Sequence, residues 1–127
     1  MIIVDTNILL RYLLKDDEEL SSKAIEIIDN NKIFIPTEVI VEASYVLKKV
    51  YSVERAKIFE AIKLLLTMED VIFQNNKTIE LAFKTYAETN LDIVDCMLFA
   101  YKKNEKYDVK TFDKKLNSLM SKYNKTK

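Results

Sequence analysis

Asp5, Glu42, Asp92, Asp95 and Asp113 each stand where this chain leaves a strand or enters a helix. Asp5 closes the apolar run Met1-Ile2-Ile3-Val4, which reads as a buried strand, and strand carboxyl ends are where open α/β sheets place their chemistry. Carboxylates gathered at one edge raise each other's pKa and destabilise the fold unless a cation neutralises them. Oxygen ligands of this kind suit magnesium or manganese rather than zinc. Such an ion lowers the pKa of bound water and stabilises the charge that develops on a phosphodiester, a reaction that needs no histidine.

Each acid also has a plainer explanation. Asp5 serves equally as the N-cap of the next helix, although Thr6 and Asn7 already offer caps. Asp92 and Asp95, three apart, fit the N-cap and N3 positions of one helix, and Asp113 fits a helix start. Glu42 sits among Val39, Ile40, Val41 and Ala43, and a carboxylate embedded there is costly unless paired or coordinated. Several such acids on one edge of one sheet make coincidence the weaker account.

Composition narrows the chemistry further. A chain of 127 residues with 49% hydrophobic content has the size and apolar material of one domain, residues 1–127. It contains no Gly, so neither a phosphate-cradling Walker loop nor a dinucleotide fingerprint can be written, and its turns fall to Asn, Asp and Ser. It contains no His, which removes the commonest general base and zinc ligand. The single Cys96 lies in an apolar helical run and reads as a core residue in a reducing, cytoplasmic setting. No apolar run approaches membrane-spanning length. Net charge is zero, but residues 102–127 hold nine lysines against Glu105, Asp108 and Asp113. That segment is either a solvated helix and tail or a phosphate-contacting surface.

The elements that position these residues alternate along the chain. Strands are expected at Ile2 to Val4, Lys32 to Pro36, Val71 to Phe73 and around Val109. The first helix, capped by Thr6 or Asn7, runs through Leu13, and a second, loaded with acid from Asp16 to Glu19, runs through Ile28. A long amphipathic helix follows from Thr37 or Glu38 to about Tyr51. Further helices are capped by Ser52, span Lys77 to Thr89, open at Asn90 to Asp92, and follow Asp113 with Leu116, Leu119 and Met120 inward. Helices between short strands predict an α/β fold, a parallel four- to five-stranded sheet flanked by helices on both faces.

Four segments then carry a resemblance. Val4-Asp5-Thr6-Asn7-Ile8-Leu9-Leu10, Ile40-Val41-Glu42-Ala43, Asp92-Ile93-Val94-Asp95-Cys96-Met97-Leu98-Phe99-Ala100 and Thr111-Phe112-Asp113-Lys114-Lys115-Leu116 resemble, in order, the PIN-domain signature. The opening Arg11-Tyr12-Leu13-Leu14-Lys15-Asp16-Asp17 is most similar to VapC-type toxins of toxin–antitoxin pairs. The resemblance implies a metal-dependent endoribonuclease in which Asp5, Glu42, Asp95 and Asp113 hold magnesium, or manganese in its place. It also implies that Asn7 and Thr111, with Thr6, orient a carboxylate or the attacking water, and that Asp92 is an outer-lying or additional ligand. Cys96 replaces a usual alanine and Leu116 a common aromatic. The partners implied are RNA, a neutralising antitoxin protein and a second copy of the chain, with no membrane. The alternatives left open are a housekeeping PIN nuclease without an antitoxin and a non-catalytic PIN-fold binding protein. A phosphoacceptor domain, which needs paired acids after the first strand, and an Asp-x-Asp phosphatase both fail on Asn7.

Overall fold

The computed structural model describes residues 1–126 and the side chains of residues 1–123. Lys127 and the side chain of Lys125, both in the basic segment, lie outside the described residues. The chain runs β1 (Ile2–Ile3), α1 (Thr6–Leu14), α2 (Glu18–Asp29), β2 (Ile33–Phe34), α3 (Thr37–Lys49), α4 (Arg55–Thr67), β3 (Val71–Ile72), α5 (Asn76–Glu88), α6 (Ile93–Glu105) and α7 (Lys114–Thr126). The strands form a parallel sheet in the order β1-β2-β3, with Ile2 opposite Ile33 and Phe34 opposite Ile72. Helical pairs bridge each parallel step, as the alternation in the sequence requires.

The sheet is smaller than expected: three strands among the described residues, not four or five. Residues 106–113 take no strand conformation. Val109 is the one apolar residue between Asp108 and Lys110, too little for an alternating strand face. It packs instead with Leu98, Leu119 and Tyr123 against a small cluster of Phe99, Leu116 and Met120. The expectation of a buried first strand is corrected as well. β1 is an edge strand, and Ile2 and Ile3 are 40% and 65% exposed, while Val4 is fully buried.

Helix starts also differ from their expected caps. Asp5 rather than Thr6 or Asn7 caps α1, accepting from the Ile8 N–H at 3.0 Å. Asp17 caps α2 and Asn75 caps α5 in the same way. Ser52 caps nothing: it takes the left-handed conformation, and Glu54 precedes α4 without a side-chain cap. Lys15 and Lys106 are the other left-handed residues. With no glycine to relieve the Cβ clash, two of these turns fall to lysine rather than to Asn, Asp or Ser. The main core joins Val4, Ile33, Ile35, Ile40, Phe83 and Ile93. Cys96 is fully buried within it, and that burial pushes its thiol up to about 12. It is a core residue, as its setting predicts. Leu116 is fully buried where an aromatic is common in the resembling family, a swap that a core position tolerates.

Candidate active site

Asp5 follows the buried Val4 and is itself exposed. One carboxylate oxygen is committed to the α1 cap, so the plainer reading of this acid holds at least for that oxygen. Glu42, on the second turn of α3, is exposed rather than embedded, which corrects the expectation of a buried carboxylate. Sequence neighbours on a helix point about 100° apart, so flanking apolar residues turned inward leave Glu42 at the surface. The Thr6 hydroxyl donates to its Oε1 and ties α1 to α3. Asn7 is exposed and makes no side-chain hydrogen bond among the described residues.

Asp95 differs from the other acids. It lies in the first turn of α6, half-buried, and no donor reaches its carboxylate among the described residues. Burial, then the negative charges of Asp113 and Asp92, hold its pKa above the usual carboxylate range. Asp113, exposed, caps α7 by accepting from the Leu116 N–H at 2.8 Å. Its own N–H donates to the Thr111 hydroxyl at 3.0 Å, and Asn117 donates to the Thr111 carbonyl at 2.9 Å. Thr111 therefore sets the approach of the chain to Asp113.

Asp92 precedes α6 without capping it. Both of its oxygens accept from the Tyr45 hydroxyl, at 2.5 and 2.6 Å. That bond first, then burial and the nearby negative charge, push the Tyr45 phenol up to about 12. Tyr45 was not singled out from sequence, although it stands three residues after Glu42, one turn along the same face of α3. Arg55 was missed too. Its Nη1 donates to the carbonyls of Tyr86, Thr89 and Leu91 at 3.0, 3.2 and 2.7 Å, and its Nη2 to that of Asn90 at 3.4 Å. The guanidinium lies 4.1 Å from the Tyr86 ring centre. One cation thus gathers the C-terminal carbonyls of α5 and fixes the turn that delivers Asp92 and Asp95.

The structure brings Asp113 and Asp92 each within electrostatic reach of Asp95 and Thr6 onto Glu42. Among the described residues it does not bring three acids, histidines or cysteines into one ready-made metal-binding group. Four of the five acids hold other partners: helix amides for Asp5 and Asp113, Thr6 for Glu42, Tyr45 for Asp92. The donors are all oxygens, the chemistry a hard divalent cation prefers.

The PIN domain family matches residues 2–120. The VapC ribonuclease of Aquifex aeolicus (strain VF5) is 31% identical over 107 residues, which cover 76% of this chain and 75% of that protein. No solved structure matches. The acids at the ends of β1 and at the starts of α6 and α7 all fall inside the matched span, and the chain belongs to the PIN domain family, to its VapC-type branch.

Proposed function

We propose that this protein is an endoribonuclease that hydrolyses RNA phosphodiesters with a divalent cation, magnesium or manganese. The observation that carries the reading is Asp95, a half-buried carboxylate with no donor, facing the charges of Asp113 and Asp92. Burial and like charge both disfavour its anion, and a bound cation would offset both. Family membership and the VapC ribonuclease relative support RNA as the substrate.

Asp5, Glu42, Asp95 and Asp113 would hold the cation. Bound there, it would supply a nucleophile at neutral pH and charge stabilisation on the cleaved phosphate. The chain's own residues do the positioning. Thr6 orients Glu42, Thr111 sets the backbone at Asp113, and Tyr45 holds Asp92 beside the site as an outer-lying or additional ligand. Asp5 keeps one oxygen on the α1 amide and offers the other. The VapC-type family resemblance further supports a toxin neutralised by a partner antitoxin, and a homodimer; the lone buried Cys96 suits a reducing cytoplasm. Among the described residues no helix is long and apolar enough to cross a membrane.

The test is cleavage of total RNA by the purified protein, with products mapped. Cutting is expected with magnesium or manganese and not in excess chelator, leaving a 5′-phosphate and a 3′-hydroxyl. Asp95→Asn removes a charge at nearly constant volume, so it should abolish cutting while the melting transition persists. Full activity in chelator overturns the mechanism.

A further inference from the structure

Between α7 and the turn before Asp92 lies a groove of about 370 Å³, lined by Thr89, Asn90, Lys114, Lys115, Ser118 and Lys122 among others. Its lining adjoins two of the acids in the chain: Lys114 follows Asp113 directly and the 89–91 turn runs into Asp92. No acidic residue lines it. Lys114, Lys115 and Lys122 are exposed, and none is in an ion pair among the described residues. A second groove of about 460 Å³ on the same helix shares Lys114, Ser118 and Lys122 and adds Asn117 and Ser121. The cationic surface therefore continues around α7.

The placement of two of these lysines is unfavourable for the fold. Lys114 and Lys115 occupy the first turn of α7, which contains no acid of its own, and the positive end of a helix dipole repels cations there. The capping Asp113 offsets part of this, but neither lysine forms an ion pair among the described residues, so both charges are open to an anion from outside. Phosphate oxygens accept from lysine point charges and from neutral hydroxyl and amide donors alike, the mixture that Asn90 and Ser118 complete, while the Thr89 hydroxyl is committed to the Thr85 carbonyl at 2.8 Å. The opposite wall is held rigid by Arg55 on the carbonyls of residues 89–91.

The geometry points to this groove as a subsite for the phosphodiester backbone of single-stranded RNA flanking the bond that is cut, holding the strand without reading its bases. The inference rests on the ribonuclease reading and adds to it where the strand lies. Its test is fluorescence anisotropy of a fluorescein-labelled single-stranded oligoribonucleotide with Asp95→Asn protein in magnesium, repeated across salt concentrations. Each lost lysine–phosphate contact lowers the slope of log affinity against log salt by about 0.7. Replacing Lys114, Lys115 and Lys122 together by Gln should lower it by about 2, roughly hundredfold in affinity near 0.1 M salt. Lys122→Gln alone, about two and a half turns from Asp113, should lower it by about 0.7, and the triple Arg variant should retain the slope.

The Gln variant should also melt no lower than its parent, because it removes dipole-opposed charges, so lost binding cannot be ascribed to lost folding. A slope unmoved by the Gln substitutions, in a protein that does cut RNA, overturns the groove and leaves the ribonuclease standing. A wild type that neither cuts nor binds RNA overturns both. Lysine-dependent binding of a polyglutamate peptide of matched charge, with none of RNA, assigns the groove to an acidic protein segment and overturns it equally.

Discussion

Asp95 is the acid whose surroundings most oppose its charge, and that opposition makes its role measurable. Its folded-state pKa is raised, by burial first and then by Asp113 and Asp92. Between the unfolded and folded values the native state therefore binds more protons than the unfolded chain. Stability contributed by this group is present below the unfolded pKa and is lost as pH rises through the folded one. Asp95→Asn removes the term. In chelator at neutral pH the variant should melt above wild type, and the gap should close well below the usual carboxylate range. Thermal melting across pH decides the matter, and a variant that melts lower at neutral pH means the helix dipole at the start of α6 outweighs the repulsion. Glu42 makes the complementary point: held by Thr6 at the surface, it is available to a ligand without any cost of burial.

At the scale of elements, the helices are sharply bounded and the strands minimal. Side-chain caps at Asp5, Asp17 and Asn75 satisfy amides that would otherwise be orphaned, whereas two-residue strands leave most of the sheet's work to the helices packed on it. The least replaceable junction is the one at Arg55, where one guanidinium serves four carbonyls and stacks on Tyr86. Arg55→Met keeps some stem packing and leaves those carbonyls unpartnered, so it should cost about 2 kcal/mol. Arg55→Lys should rescue little, because an ammonium lacks the planar fork. Urea unfolding measures the loss, and amide exchange should quicken first at residues 91–93. Uniform exchange with unchanged stability would mean the turn is held by its own packing.

Across the whole molecule, zero net charge conceals a division: residues 102–127 carry nine lysines against three acids, and the rest of the chain is net acidic. Lys114 and Lys115 of this segment follow Asp113 directly. Cation binding to the native cluster should then stabilise the protein by mass action, about 2.7 kcal/mol at a hundred times the dissociation constant, or roughly 10 °C for a domain of this size. Asp5→Asn should shrink that rise. Asparagine caps a helix nearly as well as aspartate, so α1 should persist and only the response to magnesium should fall. Melting with chelator and with millimolar magnesium distinguishes the outcomes, and an unchanged response would make Asp5 a cap and nothing more.

Sequence alone determined what local rules determine. Periodicity located all seven helices to within a few residues, Gly-free and His-free composition left carboxylate chemistry, and four ordered segments pointed to the PIN family that residues 2–120 match. Only the tertiary structure decided what depends on neighbours distant in the chain. A strand exists only where a partner lies beside it, so residues around Val109 stayed irregular and β1 became an exposed edge. A carboxylate's surroundings likewise come from other elements. Tyr45 of α3 takes Asp92, Thr6 of α1 takes Glu42, and Arg55 of α4 holds the turn between α5 and α6. These pairings span 30 or more residues, beyond the reach of any local pattern, and among the described residues they set Asp95 apart as the one of the five candidate acids without a donor.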